Sequence, residues 1–139
     1  MPAKNIHHDV VIEALKADGW TITHDPLTIE YGGRNLFVDL GAERATIGAE
    51  KGTRKIAVEI QSFMNPSAVR DLEETVGQYS IYRTLLHEDE PERTLYLAVP
   101  RRVREEILGE PLGQLVIERL RLLVLVFSEE ERRVIEWIN

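Results

Sequence analysis

Lys55-Ile56-Ala57-Val58-Glu59-Ile60-Gln61-Ser62-Phe63 is the stretch whose reading decides the fold. Side chains alternate faces along a strand, so Ile56, Val58 and Ile60 share one face while Ala57, Glu59 and Gln61 share the other. A second short run, Leu36-Phe37-Val38-Asp39-Leu40, also carries one acid in an apolar strand, with Asp39 on the face of Phe37. A carboxylate in such surroundings is costly unless something pairs with it. Two of them on neighbouring strands would offer one partner to both, and a divalent cation is the usual one.

Working outward, Ile6, Val10, Val11, Ala14 and Leu15 recur at helical spacing, and Asp18-Gly19 supplies a stop, which predicts a helix over 5–17. Trp20 to His24 alternates as a strand that Asp25-Pro26 breaks. A strand over 27–31 is turned by Gly32-Gly33 into the 36–40 strand as a hairpin. Residues 45–50 add a strand, and Lys51-Gly52 turns the chain into the Glu59 strand. Asn65-Pro66-Ser67 predicts a helix start with Asn as cap and Pro at the first position. Val69, Leu72, Val76, Tyr79 and Leu86 then mark the longest amphipathic helix, ending near His87. Beyond it come a strand over 94–99, a short helix over 101–108, a helix from Pro111 or Leu112 to about Leu120, and strands over 122–127 and 134–138. The order predicts one mixed α/β domain over residues 1–139, a central sheet flanked by helices.

Size and composition fit that reading. A chain of 139 residues, 43% hydrophobic and 29% charged, is long enough to bury one substantial core. The absence of cysteine excludes disulfides, thiolate metal sites and cysteine nucleophiles. The N-terminus has no apolar run of signal-peptide length and no segment approaches a membrane span, so a cytoplasmic protein with no membrane partner is expected. The net charge of −7 lacks the basic signature of non-specific nucleic-acid binding, so any DNA contact must be local, metal-assisted or supplied by a partner.

Several chemistries have no motif here: no phosphate-cradling glycine loop and no G-x-S-x-G elbow. His7 and His8 are adjacent, point about 100° apart on a helix, and read as solvated residues of its first turn. What remains is the acid set Asp39, Glu59 and Glu50, followed by Gln61. Two strand carboxylates with phosphate oxygens and water would satisfy Mg²⁺ or Mn²⁺. The alternative has Asp39 paired with an arginine and Glu59 on a solvated face.

A resemblance covers nearly the whole chain. Gly19-Trp20-Thr21-Ile22-Thr23-His24-Asp25-Pro26, Val38-Asp39-Leu40-Gly41-Ala42-Glu43, Ala49-Glu50-Lys51, the Lys55–Phe63 block, Gly77-Gln78-Tyr79, Gly113-Gln114-Leu115 and Trp137-Ile138 resemble the XisH family, the cyanobacterial fdxN-element excision controlling factors. The resemblance implies a restriction-endonuclease-like fold of the PD-(D/E)XK group. In that group the acid matching Asp39 and the first acid of E-x-K, here Glu59, hold the metal. Gln78 and Tyr82 also match the Q-x-x-x-Y of RecB-like nucleases. Four residues apart, they share one helical face and could reach a phosphate, or Tyr82 could simply join the core.

One departure bears on catalysis. The family pattern has Lys at the third position of E-x-K, and this chain has Gln61. Gln can hydrogen-bond but brings no charge, which would lower any rate by about a hundredfold to a thousandfold. Lys55 is four residues from Glu59, roughly 13 Å along a strand, too far to substitute. The resemblance implies DNA, a site-specific recombinase and a small XisI-type companion as partners, and leaves two functions open: a metal-dependent nuclease-like excision factor, or a non-catalytic module that holds the companion. Self-association as a homo-oligomer is open as well. Arg101, Arg102 and Arg104, and Arg119 with Arg121, are placed either to touch phosphates or to pair with Glu105, Glu106, Glu118 and Glu129 on a solvated surface.

Overall fold

The computed structural model describes residues 5–46 and 52–139. In chain order these form α1 (His8–Ala17), β1 (Thr21–His24), β2 (Leu27–Tyr31), β3 (Arg34–Val38), β4 (Leu40–Thr46), β5 (Gly52–Ile60), α2 (Ala68–Asp89), β6 (Arg93–Pro100), α3 (Arg101–Glu105), a 3₁₀ turn (Ile107–Gly109), α4 (Pro111–Leu120), β7 (Val124–Ser128) and β8 (Arg133–Ile138). Six strands make a mixed sheet in the order β1-β4-β5-β6-β7-β8, and β2 with β3 makes a separate two-stranded ribbon. β5, β6 and β7 run parallel, while β1, β4 and β8 join antiparallel. Parallel neighbours need long crossovers, which α2 and then α3 with α4 provide.

The alternation predicted along β5 divides the core into two layers. Ile56, Val58 and Ile60 pack with Val11, Ala14 and Leu15 of α1. Ala57 packs on the other side with Leu72, Tyr79 and Leu86 of α2 and with Leu27, Ile29 and Val38 of the ribbon. Tyr79 ties α2 to the sheet: its hydroxyl donates to Leu95 O (3.0 Å) and accepts from Leu123 N–H (3.2 Å).

Four expectations are corrected. The run 36–40 is not one strand, because β3 ends at Val38 and Leu40 opens β4 in the other sheet, with Asp39 at the bend between them. The reason lies in the core: Val38 buries on the α2 side and Leu40 on the α1 side, so the chain changes layers at Asp39. The strand expected over 45–50 begins earlier, at Leu40; Glu50 and Lys51 lie outside the described residues. The cap of α2 is Ser67, whose Oγ accepts from Arg70 N–H (3.2 Å), while Asn65 Oδ1 accepts from Ser67 N–H (2.9 Å) and shapes the turn before it. Finally, α1 starts at His8, three residues later than its periodicity predicts, because Asn5 Oδ1 accepts from His7 N–H (2.9 Å) and holds that segment in a turn. Among the described residues no helix is long and apolar enough to cross a membrane.

Candidate functional site

The β4–β5 ladder pairs Leu40 with Val58. One step beyond its end, Asp39 comes opposite Glu59, and residues directly opposite in an antiparallel pair project to the same side. That side is the α2 side, since Glu59 shares the face of the buried Ala57. The two acids are bound together through the backbone. Glu59 Oε1 accepts from Asp39 N–H (3.2 Å), and Asp39 Oδ2 accepts from Ile60 N–H (2.7 Å). The bend at Asp39 is therefore held by the two acids it brings together.

Glu59 is only 5% exposed. Burial, then the negative charge of Asp39 beside it and a hydrogen bond between the two carboxyl groups, push its carboxyl up to about 9; the Asp39 N–H opposes this in part. Among the described residues no cationic side chain forms an ion pair with either acid. The arginine-paired alternative for Asp39 is thus not what the chain adopts, nor is Glu59 solvated.

The next residues on this side complete a polar row. Gln61 Nε2 donates to Gln78 Oε1 (2.6 Å), and Gln78 Nε2 donates to Tyr82 Oη (3.2 Å). Burial raises the Tyr82 hydroxyl, the charges of Glu59 and Asp39 raise it further, and its bond to Gln78 opposes them. All five residues, Asp39, Glu59, Gln61, Gln78 and Tyr82, thus converge at the end of β5 beneath α2. Tyr82 also packs against the core, so its two sequence readings hold together.

The donor set suits a hard divalent cation: two carboxyl groups side by side, which a bound cation would hold with both ionised. Mg²⁺ characteristically takes one or two protein carboxylates and completes its shell with water and phosphate. Among the described residues no group of three acids or histidines is arranged to hold a metal, and Glu50 lies outside them.

The family model described as XisH protein matches residues 1–135. The chain belongs to the XisH family. Two solved structures are similar over their whole length. One is an XisH family protein from Nostoc punctiforme PCC 73102, 38% identical, covering 97% of this chain and 100% of its own, with a TM-score of 0.88. The other is an fdxN element excision controlling factor protein from Anabaena variabilis, 39% identical, covering 98% and 100%, with a TM-score of 0.87. No curated protein matches.

This XisH chain also carries a buried polar cluster that its motifs did not reveal. His7 and His8 are not solvated but 7% and 4% exposed. His7 Nδ1 lies 2.7 Å from Ser62 Oγ and its Nε2 3.0 Å from Glu129 Oε2, while Ser62 Oγ donates to Asn5 Oδ1 (2.5 Å). His8 Nε2 lies 2.8 Å from Asp25 Oδ1, although neither ring nitrogen makes an aligned hydrogen bond. The signal was present in β5: alternation continued past Ile60 puts Ser62 on the buried α1 face, where a hydroxyl needs a partner. Two of the arginines after Pro100 serve the fold. Arg102 donates to Ser62 O (2.5 Å) and Phe63 O (3.3 Å), bracing Phe63 in a left-handed turn (φ 52°), and Arg104 pairs with Glu136 (3.1 Å) rather than with the nearer acids in sequence.

Proposed function

We propose that this XisH chain is an accessory factor in the excision of a DNA element, with a divalent-cation site for phosphodiester chemistry at Asp39 and Glu59. The observation that carries the reading is the acid pair: a half-buried carboxyl group at the bend before β4 and a buried one on β5, side by side, the Glu59 carboxyl raised to about 9, with no cationic side chain paired to them among the described residues. A second negative charge beside Asp39 is expensive here, as the raised Glu59 carboxyl shows, and a site that keeps two acids together has a use for a cation. The name borne by the Anabaena variabilis relative supports the excision role. A mixed sheet with acids at the end of a central strand, under a helix carrying Gln78 and Tyr82, supports a restriction-endonuclease-like ancestry.

Mg²⁺ or Mn²⁺, when bound, supplies a Lewis acid for a phosphoryl oxygen and a more acidic water. Asp39 and Glu59 would hold the ion, and Glu59 would release its proton in exchange. Gln61, tethered to Gln78, would orient the attacking water as a neutral donor, with the Gln78–Tyr82 row facing a phosphate. Without a lysine at position 61 the developing charge loses one fixed positive partner, so turnover would be slow.

The test is nicking of supercoiled and single-stranded DNA with Mg²⁺ or Mn²⁺. Activity that Glu59→Ala abolishes is expected; equal activity in both proteins, or none in either, overturns the cleavage reading.

A second reading has the fold hold an XisI-type companion beside a site-specific recombinase, without cutting. The apolar side chains left exposed on α4 favour it. Capture of the companion should survive Asp39→Ala and Glu59→Ala, and loss in both would put the interface on the acid side instead.

A further inference from the structure

α4 is held to the body of the protein in an unusual way for an amphipathic helix. Its one fully buried residue is Gly113, where a Cβ would fall 2.0 Å from Ile107 O. That contact brings the helix backbone against the 3₁₀ turn. Meanwhile Leu112, Leu115 and Leu120 stay 46%, 51% and 41% exposed. Spaced i, i+3 and i+8, they form a stripe of the kind that a helix normally buries.

Between α4 and α2, beside Leu112 and Leu120 of this stripe, runs a groove of about 510 Å³, walled by Val69, Val76 and Gly77 on one side and Leu112, Val116 and Leu120 on the other. Each wall spans nine residues, eight rises of 1.5 Å or about 12 Å. That length accommodates the i, i+4 and i+7 anchors of a docked helix. Gly77 sits mid-helix, where glycine is unfavourable, yet nothing lies within 4 Å of where its Cβ would be. The glycine therefore widens the groove at its α2 wall without relieving any contact inside the chain. Small residues at such positions let a second backbone approach closely.

Charge selects the occupant. The charged residue that lines the groove is Glu73, and the chain carries a net −7, so a second copy would set like charge against like. We propose that the α2–α4 groove docks an amphipathic helix of a different, cationic protein, with apolar anchors in the groove and Lys or Arg along its flanks. The proposal rests on the companion-holding reading above for its biological setting, and on the groove alone for its geometry.

Two synthetic helices of about 20 residues test it, one with leucine anchors and lysine flanks, the other with glutamate flanks, each followed by fluorescence anisotropy. The wild type is expected to saturate with the lysine peptide and to bind the glutamate peptide at least tenfold more weakly. Gly77→Leu, which fills the groove while improving helix propensity, should weaken the lysine peptide at least tenfold and leave the Tm unchanged or a few degrees higher. Absence of saturable binding, or equal binding by Gly77→Leu, overturns the proposal. A dimer that Gly77→Leu dissolves, seen by light scattering, would assign the groove to a second copy and overturn the occupant. Capture of the companion separates the two levels. If it binds wild type and Gly77→Leu alike, the docking inference fails and the companion-holding reading stands. If the peptide result holds but the wild type captures no companion, the reading fails and the groove stands.

Discussion

Replacing Glu59 with glutamine should stabilise the metal-free protein, by an amount that grows with pH. In the fold the Glu59 carboxyl is raised from 4.5 to about 9, by burial first and by Asp39 second. Between those values the native state binds one more proton than the unfolded chain, so stability falls as pH rises, by about 1.4 kcal/mol per pH unit. Below 4.5 both states hold the proton and there is no cost; above 9 neither holds it and the cost is constant. From pH 6 to pH 9 the loss comes to about 4 kcal/mol, on the order of 10 °C in Tm for a chain of this length. Glutamine keeps an oxygen for the Asp39 N–H and offers an amide to the Asp39 carboxyl, so it fills the same space without the titration. The assay is thermal or urea unfolding of both proteins in EDTA, across pH 6 to 9 at matched ionic strength. The gap between Glu59→Gln and wild type should widen steadily with pH. Added Mg²⁺ should narrow it most at pH 9, where the ion no longer competes with the proton. Parallel curves across that range would refute the buried, proton-sharing acid pair and the cation site built on it.

Gln61→Lys should restore the missing charge and raise authentic Mg²⁺-dependent nicking by about a hundredfold; an unchanged rate removes Gln61 from the mechanism. Tyr82→Phe deletes the hydroxyl that accepts from Gln78 and should cost about 1 kcal/mol, read as a fall in urea midpoint at constant slope. His7→Leu leaves the Ser62 hydroxyl without its ring partner and Glu129 without its contact, with an expected loss of about 2 kcal/mol in the same assay. Gly113→Ala drives a methyl into Ile107 O and should cost about 3 kcal/mol while loosening α4, seen as faster amide exchange there.

The strand Lys55–Phe63 was legible because its pattern is local. A period of two, β-branched residues and no breaker leave one conformation favoured, and its burial in a central position follows from its apolar content. Helices α2 and α4 were legible for the same reason, down to Pro111 at the start of α4. Asp39 was read correctly as an acid set among apolar neighbours and wrongly as mid-strand, since nothing in Leu36–Leu40 marks a change of sheet. His7 and His8 were misread because burial at a helix start depends on what packs over it, here Ser62 and Glu129, which are 55 and 122 residues away.

By itself the sequence determined the elements, the two faces of β5 and the residue types available for chemistry. All of these depend on neighbours within a few positions. The tertiary structure alone decided that Asp39 stands opposite Glu59, that Gln61 reaches Gln78, and that α4 rests on a glycine with its leucines outward. Those are set by strand register and by the packing of layers remote in the chain, where the free energy of burial, rather than local propensity, chooses the arrangement.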